Sequence, residues 1–183
     1  MQKQIPGTVL TGTQADLLNI EEKLDALFLA GGVTRSQIVT VSGLEPYMVQ
    51  NWVKRGFLAP PQGKRYSKRQ LCRILNINAL RSALQMDEIC GLLAYVNGQL
   101  DDESDDLIDD SVLYVSFVHL VGSVELHSPG EDWHILIDQE LEGYREVIPG
   151  AKDRIAKVLM IMLVAWASAS LRAEAENLLS TLS

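Results

Sequence analysis

The chain has 183 residues, 47% of them hydrophobic and 22% charged, with a formal net charge of -8. This balance supports a buried core and excludes a disordered chain, and the length admits one generous domain or a small domain with a companion. The N-terminus, MQKQIPGTVLTGTQADLL, lacks the basic start and continuous apolar run of a secretory leader, so a cytoplasmic protein is expected, with Cys72 and Cys90 as reduced thiols packed on helices.

Residues 1–15 are rich in Gly and Thr and are expected to be loosely ordered. LLNIEEKLDALFLA then places Leu17, Ile20, Leu24, Leu27 and Phe28 at helical spacing and stops at Gly31-Gly32. Thr34, with Gln37 three residues on, is a capping-box start for TRSQIVTVSG, which Gly43 ends. The next helix begins at Glu45-Pro46, where proline suits the first turn, and runs to Arg55 before Gly56. After PPQG, Ser67 caps a helix carrying Leu71, Ile74, Leu75, Ile77 and Leu80, and a further helix spans Asp87 to Val96, closing at Asn97-Gly98.

DDESDDLIDD, residues 101–110, holds seven acidic residues and reads as a solvated linker leading into a helix N-terminus. SVLYVSFVHLVGSVEL is valine-rich and compatible with strand or helix; its length and context favour helix. Ser128, Pro129 and Glu131 form a start signal for GEDWHILIDQELEGYRE. From Pro149 onward no breaker follows Gly150, which predicts a single helix of about thirty residues, roughly 45 Å long. Its middle, Val158 to Trp166, is apolar on all sides and must be surrounded by helices of its own chain or of a partner subunit. The apolar run there is shorter than the ~20 residues of a spanning helix, so no membrane partner is expected. The fold class is therefore all-α or mainly α, divided into a lead-in and helix (1–33), a helix-turn-helix unit (34–98) and an acidic linker with a helical region (99–183).

Charge is partitioned more sharply than the net value suggests. Residues 34–82 carry nine basic residues against Glu45 (+8), residues 1–33 two basic against four acidic (-2), and residues 83–183 five basic against nineteen acidic (-14). The basic segment is a candidate for binding phosphate backbones. Within it, TRSQIVTVSG and EPYMVQNWVKR have helix-turn-helix spacing, with Ile38, Val41, Leu44, Val49, Trp52 and Val53 as its small core. Glu45, Tyr47, Met48, Gln50, Asn51 and Lys54 are left outward on the second helix, a polar face fit for a major groove.

Thr34, Ile38, Ser42-Gly43, Val49, Trp52, Gly56-Phe57-Leu58 with Pro60, Arg65-Tyr66 and the helix starting at Ser67 resemble the MerR-type winged helix-turn-helix over about sixty residues. NWVKRGFLAPPQGKRYSKRQLCRI and the region after it also look like an uncharacterised bacterial family that carries this domain. The resemblance implies that Glu45 to Arg55 is a recognition helix, with Lys64, Arg65 and Tyr66 as wing contacts. Where MerR proteins usually have arginine and tyrosine, this chain has Gln50 and Asn51, and the long dimerisation coil that follows the MerR domain is not evident here as heptads.

The expected function is that of a sequence-specific, DNA-binding transcriptional regulator acting on double-stranded DNA as a homodimer. Arg35, Lys68 and Arg69 join Lys64 and Arg65 as phosphate contacts, and Gln50 and Asn51 suit adenine edges. Val158, Met162 and Trp166 are the expected dimer interface, and the charge partition raises the further hypothesis that the acidic stretch, read as a solvated linker, covers the basic wing and weakens DNA binding until released. A non-enzymatic adaptor using the same unit for protein contacts is the alternative. His119, His127 and His134 lack metal-ligand spacing, and no phosphate loop or nucleophile motif occurs, so no cofactor, metal or enzymatic activity is expected.

Overall fold

The computed structural model describes residues 2–100, 102–124 and 131–182. It is mainly helical, with nine α-helices among the described residues and two antiparallel pairs of two-residue strands. The order is β1 (Lys3–Gln4), β2 (Thr11–Gly12), α1 (Gln14–Leu18), α2 (Ile20–Phe28), β3 (Val33–Thr34), α3 (Arg35–Ser42), α4 (Pro46–Lys54), β4 (Arg65–Tyr66), α5 (Lys68–Leu80), α6 (Met86–Asn97), α7 (Asp110–Ser123), α8 (Glu131–Glu140) and α9 (Ala151–Ser180). β1 pairs with β2, and β3 with β4 in the register Val33 to Tyr66.

The lead-in is ordered, against expectation. Gly7, at φ +71, lies so close to α5 that an added Cβ would stand 2.0 Å from the Leu75 carbonyl oxygen. The Tyr114 hydroxyl donates to the Pro6 carbonyl at 2.8 Å, and Lys3 Nζ donates to the carbonyls of Val121, Gly122 and Val124 at 3.0–3.2 Å. A lysine thus supplies the donors that the C-terminal end of α7 lacks. The single helix expected over residues 17–28 is divided at Asn19, and Leu27 is exposed.

α7 confirms the helical reading of the valine-rich run. It packs against α1, α2, α5, α8 and α9, which explains why neither a strand alternation nor an amphipathic stripe marks it: nearly every side of it is covered. Phe117 meets Trp166 of α9 edge-on, with ring centroids 6.3 Å apart. α9 spans 30 residues, as its unbroken composition predicts, and is long and apolar enough to cross a membrane by length and composition. One face of it, including Ile155, Val158, Leu159, Met162, Leu163 and Trp166, packs against α5, α6, α7 and α8, while Ile161 and Val164 stay exposed. Ser128 and Pro129 of the expected α8 start signal lie outside the described residues.

Candidate nucleic-acid interface

Local signals build the helix-turn-helix as the sequence indicates. Thr34 Oγ1 accepts from the Gln37 amide while Gln37 Oε1 accepts from the Thr34 amide at 2.8 Å, a complete capping box. α3 ends at Gly43 with φ +68, a left-handed cap that glycine adopts without a Cβ penalty. Asn78 of α5 donates to the carbonyls of both Ser42 and Gly7 at 2.9 Å, tying the turn to the lead-in. Pro46 opens α4, and its end is a Schellman motif: the Phe57 amide donates to the Trp52 carbonyl and the Gly56 amide to Val53.

With both ends fixed, α4 divides cleanly. Val49 and Trp52 are buried, while Glu45, Tyr47, Gln50, Asn51 and Lys54 are exposed. Met48 is half-buried against the core, so it serves packing more than the outer face. Arg55, which the sequence reading leaves out of the site, is exposed at the end of α4 with its guanidinium 4.5 Å over the Phe57 ring.

The wing is a hairpin closed between Gln62 and Arg65. Gly63 and Lys64 at its tip have φ +54 and +64, the paired positive values of a type I′ turn. Lys64 holds a left-handed conformation that a side chain rarely takes, and this presents it at the tip. Arg65 is exposed, and its Nη1 donates to the carbonyls of Gly31 and Gly32 at 2.9 and 2.8 Å, bracing the wing on the loop before β3. A cleft of about 690 Å³ between the start of α3, the start of α4 and the wing brings Arg35 and Lys64 to one surface, with Ser36 and Pro46 also in its lining.

Three of the expected contacts lie elsewhere. Tyr66 is buried beneath the wing, and burial pushes its phenol pKa up, so it is a core residue and no wing contact. Its position in β4 explains this, since alternation sends one residue of a strand inward when its neighbour points out. Lys68 is paired with Asp25 at 2.6 Å. Arg69 is paired with Asp106 at 2.7 Å and lies within 3.9 Å of Asp109 and Asp110. Arg73, also buried, donates to the Asp110 carboxylate at 3.2 and 3.4 Å and to the Phe57 carbonyl at 3.1 Å.

The acidic stretch is therefore no plain solvated linker, and it does not cover the wing tip. Its last residues are folded onto α5, with Asp110 only 1% exposed and burial raising its pKa above 3.8 against the opposing pull of Arg73 and Arg69. In the sequence Arg69 and Arg73 are four apart and so share one face of α5, but which acidic groups meet them depends on how α7 packs against that helix. Of nine basic residues in 34–82, removing Lys68, Arg69 and Arg73 leaves six: Arg35, Lys54, Arg55, Lys64, Arg65 and Arg81. Five of these lie on α3, α4 or the wing, and none forms an ion pair among the described residues.

Val158, Met162 and Trp166 are likewise corrected. All three are buried within this chain, so they form intrachain core and no dimer interface. The covering helices come from the chain itself, the first of the two alternatives that the all-round apolar composition allows.

No solved structure matches the chain. Over 96 residues, 50% of this chain, it is 27% identical to the uncharacterised protein YkrK of Bacillus subtilis strain 168, and the match spans 41% of that relative's length. Residues 31–117, from the turn before β3 to the middle of α7, match the family described as domain of unknown function DUF1836.

Proposed function

We propose that the chain is a sequence-specific DNA-binding transcriptional regulator that acts as a dimer, with α4 entering the major groove and the wing gripping the backbone. The observation that carries this reading is the set of five basic side chains, Arg35, Lys54, Arg55, Lys64 and Arg65, which form no ion pair among the described residues and surround one polar helix face in a chain of net charge -8. Acidic groups are plentiful, and Lys68, Arg69 and Arg73 take them; positive charge that no described acidic group pairs, gathered on one surface, suits a partner that brings its own negative charge. The MerR-type resemblance of the same segment supports the same docking. Gln50 and Asn51 are the readers, and Arg35 and Lys64, which line one cleft beside the start of α4, hold backbone phosphates.

Selection of bound sequences from a random duplex pool, followed by affinity measured against salt, tests this reading. An Arg35→Ala/Lys64→Asn variant keeps a residue tolerant of φ +64 at the wing tip. It should lower the salt slope by about 1.8 units, the value for two lost phosphate contacts, and weaken all sequences alike. No enrichment from the pool, or binding that ignores salt, would refute the proposal and favour a protein-binding adaptor.

A further inference from the structure

α9 has two faces with opposite surroundings. Val158, Met162 and Trp166 point into the chain's own core. On the other side Ile161, Val164, Ser168, Leu171, Ala175 and Leu178 are all exposed, and Leu182 follows just beyond the helix cap. Their spacing alternates three and four residues without a break, which is the a and d pattern of three successive heptads. From Leu171 to Ser180 every residue is exposed, so the end of the helix stands off the body while still carrying an apolar line. A helical end of this length is marginal alone in water and gains its stability from packing an apolar face.

We infer that this line is the seam of a parallel, two-stranded coiled coil formed with a second copy of the chain. The inference deepens the dimeric part of the reading above by naming its surface, and it does not require that DNA be the ligand. Three features select a second copy over a foreign partner. The seam carries no charge, and the flanking Arg172 and Glu176 already pair with each other at 2.9 Å, so nothing on it calls for a partner of opposite sign. A strict repeat is self-complementary about a two-fold axis, which lets all six positions within the helix meet their own copies in register. The length also suffices: within the helix the line from Ile161 to Leu178 spans roughly 26 Å at 1.5 Å per residue, and Leu182 continues the spacing just past the cap, which brings the pattern to the three heptads that mark a coiled coil.

Orientation follows from the flanks. In the parallel arrangement the g and e positions oppose Ala167 to Arg172 and Glu174 to Leu179, and no like charges meet. An antiparallel pairing of Leu171 with Ala175 would bring Arg172 beside its own copy and Glu174 beside its own copy. Ile161 at an a position with Leu171 and Leu178 at d suits two strands. Ser168 and Ala175 at the intervening a positions bury less, so the dimer should dissociate on dilution.

Sedimentation without DNA at micromolar concentration tests the seam. The wild type should run near twice the 20.3 kDa chain mass, and Leu171→Glu/Leu178→Glu should run as a monomer with its cooperative thermal unfolding intact. Leu29→Glu, at a residue 87% exposed on the end of α2, should remain dimeric. Ala175→Cys in a Cys90→Ser background should form a disulfide-linked dimer on oxidation, because only parallel strands bring residue 175 beside its copy. A double variant that stays dimeric overturns the seam but leaves a dimer standing, and an Ala175→Cys protein that stays unlinked overturns the orientation. A monomeric wild type overturns both seam and dimer, while the DNA reading is judged separately by its salt slope.

Discussion

Asp110→Ala tests the contact that joins the helix-turn-helix to the helical half. Asp110 caps the inner corner where α7 meets α5, is 1% exposed, and faces Arg73 at 3.2 Å with Arg69 at 3.7 Å. Arg73 also holds the Phe57 carbonyl at the end of α4, so one guanidinium connects the two parts of the molecule. Removing Asp110 leaves that guanidinium buried without its counter-charge, a change that costs roughly 3–5 kcal/mol. For a chain of this size each kcal/mol lowers the melting temperature by about 2–4 °C, so a fall of about 6–20 °C is expected. Urea and thermal denaturation followed by circular dichroism measure it. Arg73→Met/Asp110→Leu removes both charges together and should recover most of the loss, since an apolar pair of similar volume avoids desolvation altogether. A single Asp110→Ala variant within about 1 kcal/mol of wild type would refute the reasoning, because it would mean that Arg73 finds water or another partner at no cost.

The other expectations concern separate parts of the chain. Gly7→Ala should destabilise by roughly 2–5 kcal/mol in urea denaturation, combining a left-handed φ with a Cβ forced against the α5 backbone; a neutral result would show that the lead-in is not packed there. His119 donates to Glu140 at 3.1 Å, and this bond raises its pKa above 6.5. A raised histidine pKa contributes stability fully below the unfolded value and loses it as pH rises through the folded one. Melting temperatures from pH 5 to 9 should therefore show Glu140→Gln furthest below wild type in acid, with the gap closing as pH rises. Lys68→Ala should leave the salt slope of DNA binding unchanged, since its ammonium is held by Asp25, whereas Asn51→Ala should relax preference at one base position in a selection experiment.

Much of the helix-turn-helix is written in local chemistry. The Thr34/Gln37 and Ser67/Gln70 boxes, Pro46 at the start of α4, and Gly43 and Gly56 at left-handed caps are each decided by a few neighbouring residues. These interactions close within one turn of chain, so sequence alone settles them. The same holds for the outward set Tyr47, Gln50, Asn51 and Lys54, which follows from helical spacing around buried Val49 and Trp52.

Tertiary structure alone decided which charges are unpaired. Composition counts Lys68, Arg69 and Lys64 equally, but Asp25, Asp106 and Asp110 reach the first two across gaps of more than thirty residues, and pairing at that range depends on how α2 and α7 pack on α5. The N-terminal lead-in is ordered for the same reason, since its partners, Leu75 and Tyr114, lie far along the chain. α9 gives the clearest case. Its middle is apolar all round, so the a and d line of Ile161 and Val164 is hidden among the core residues Val158 and Met162, and no hydrophobic pattern separates them. Only packing against α6, α7 and α8 uses up one face and leaves the heptad on the other, because burial is a property of what surrounds a helix and not of the helix itself.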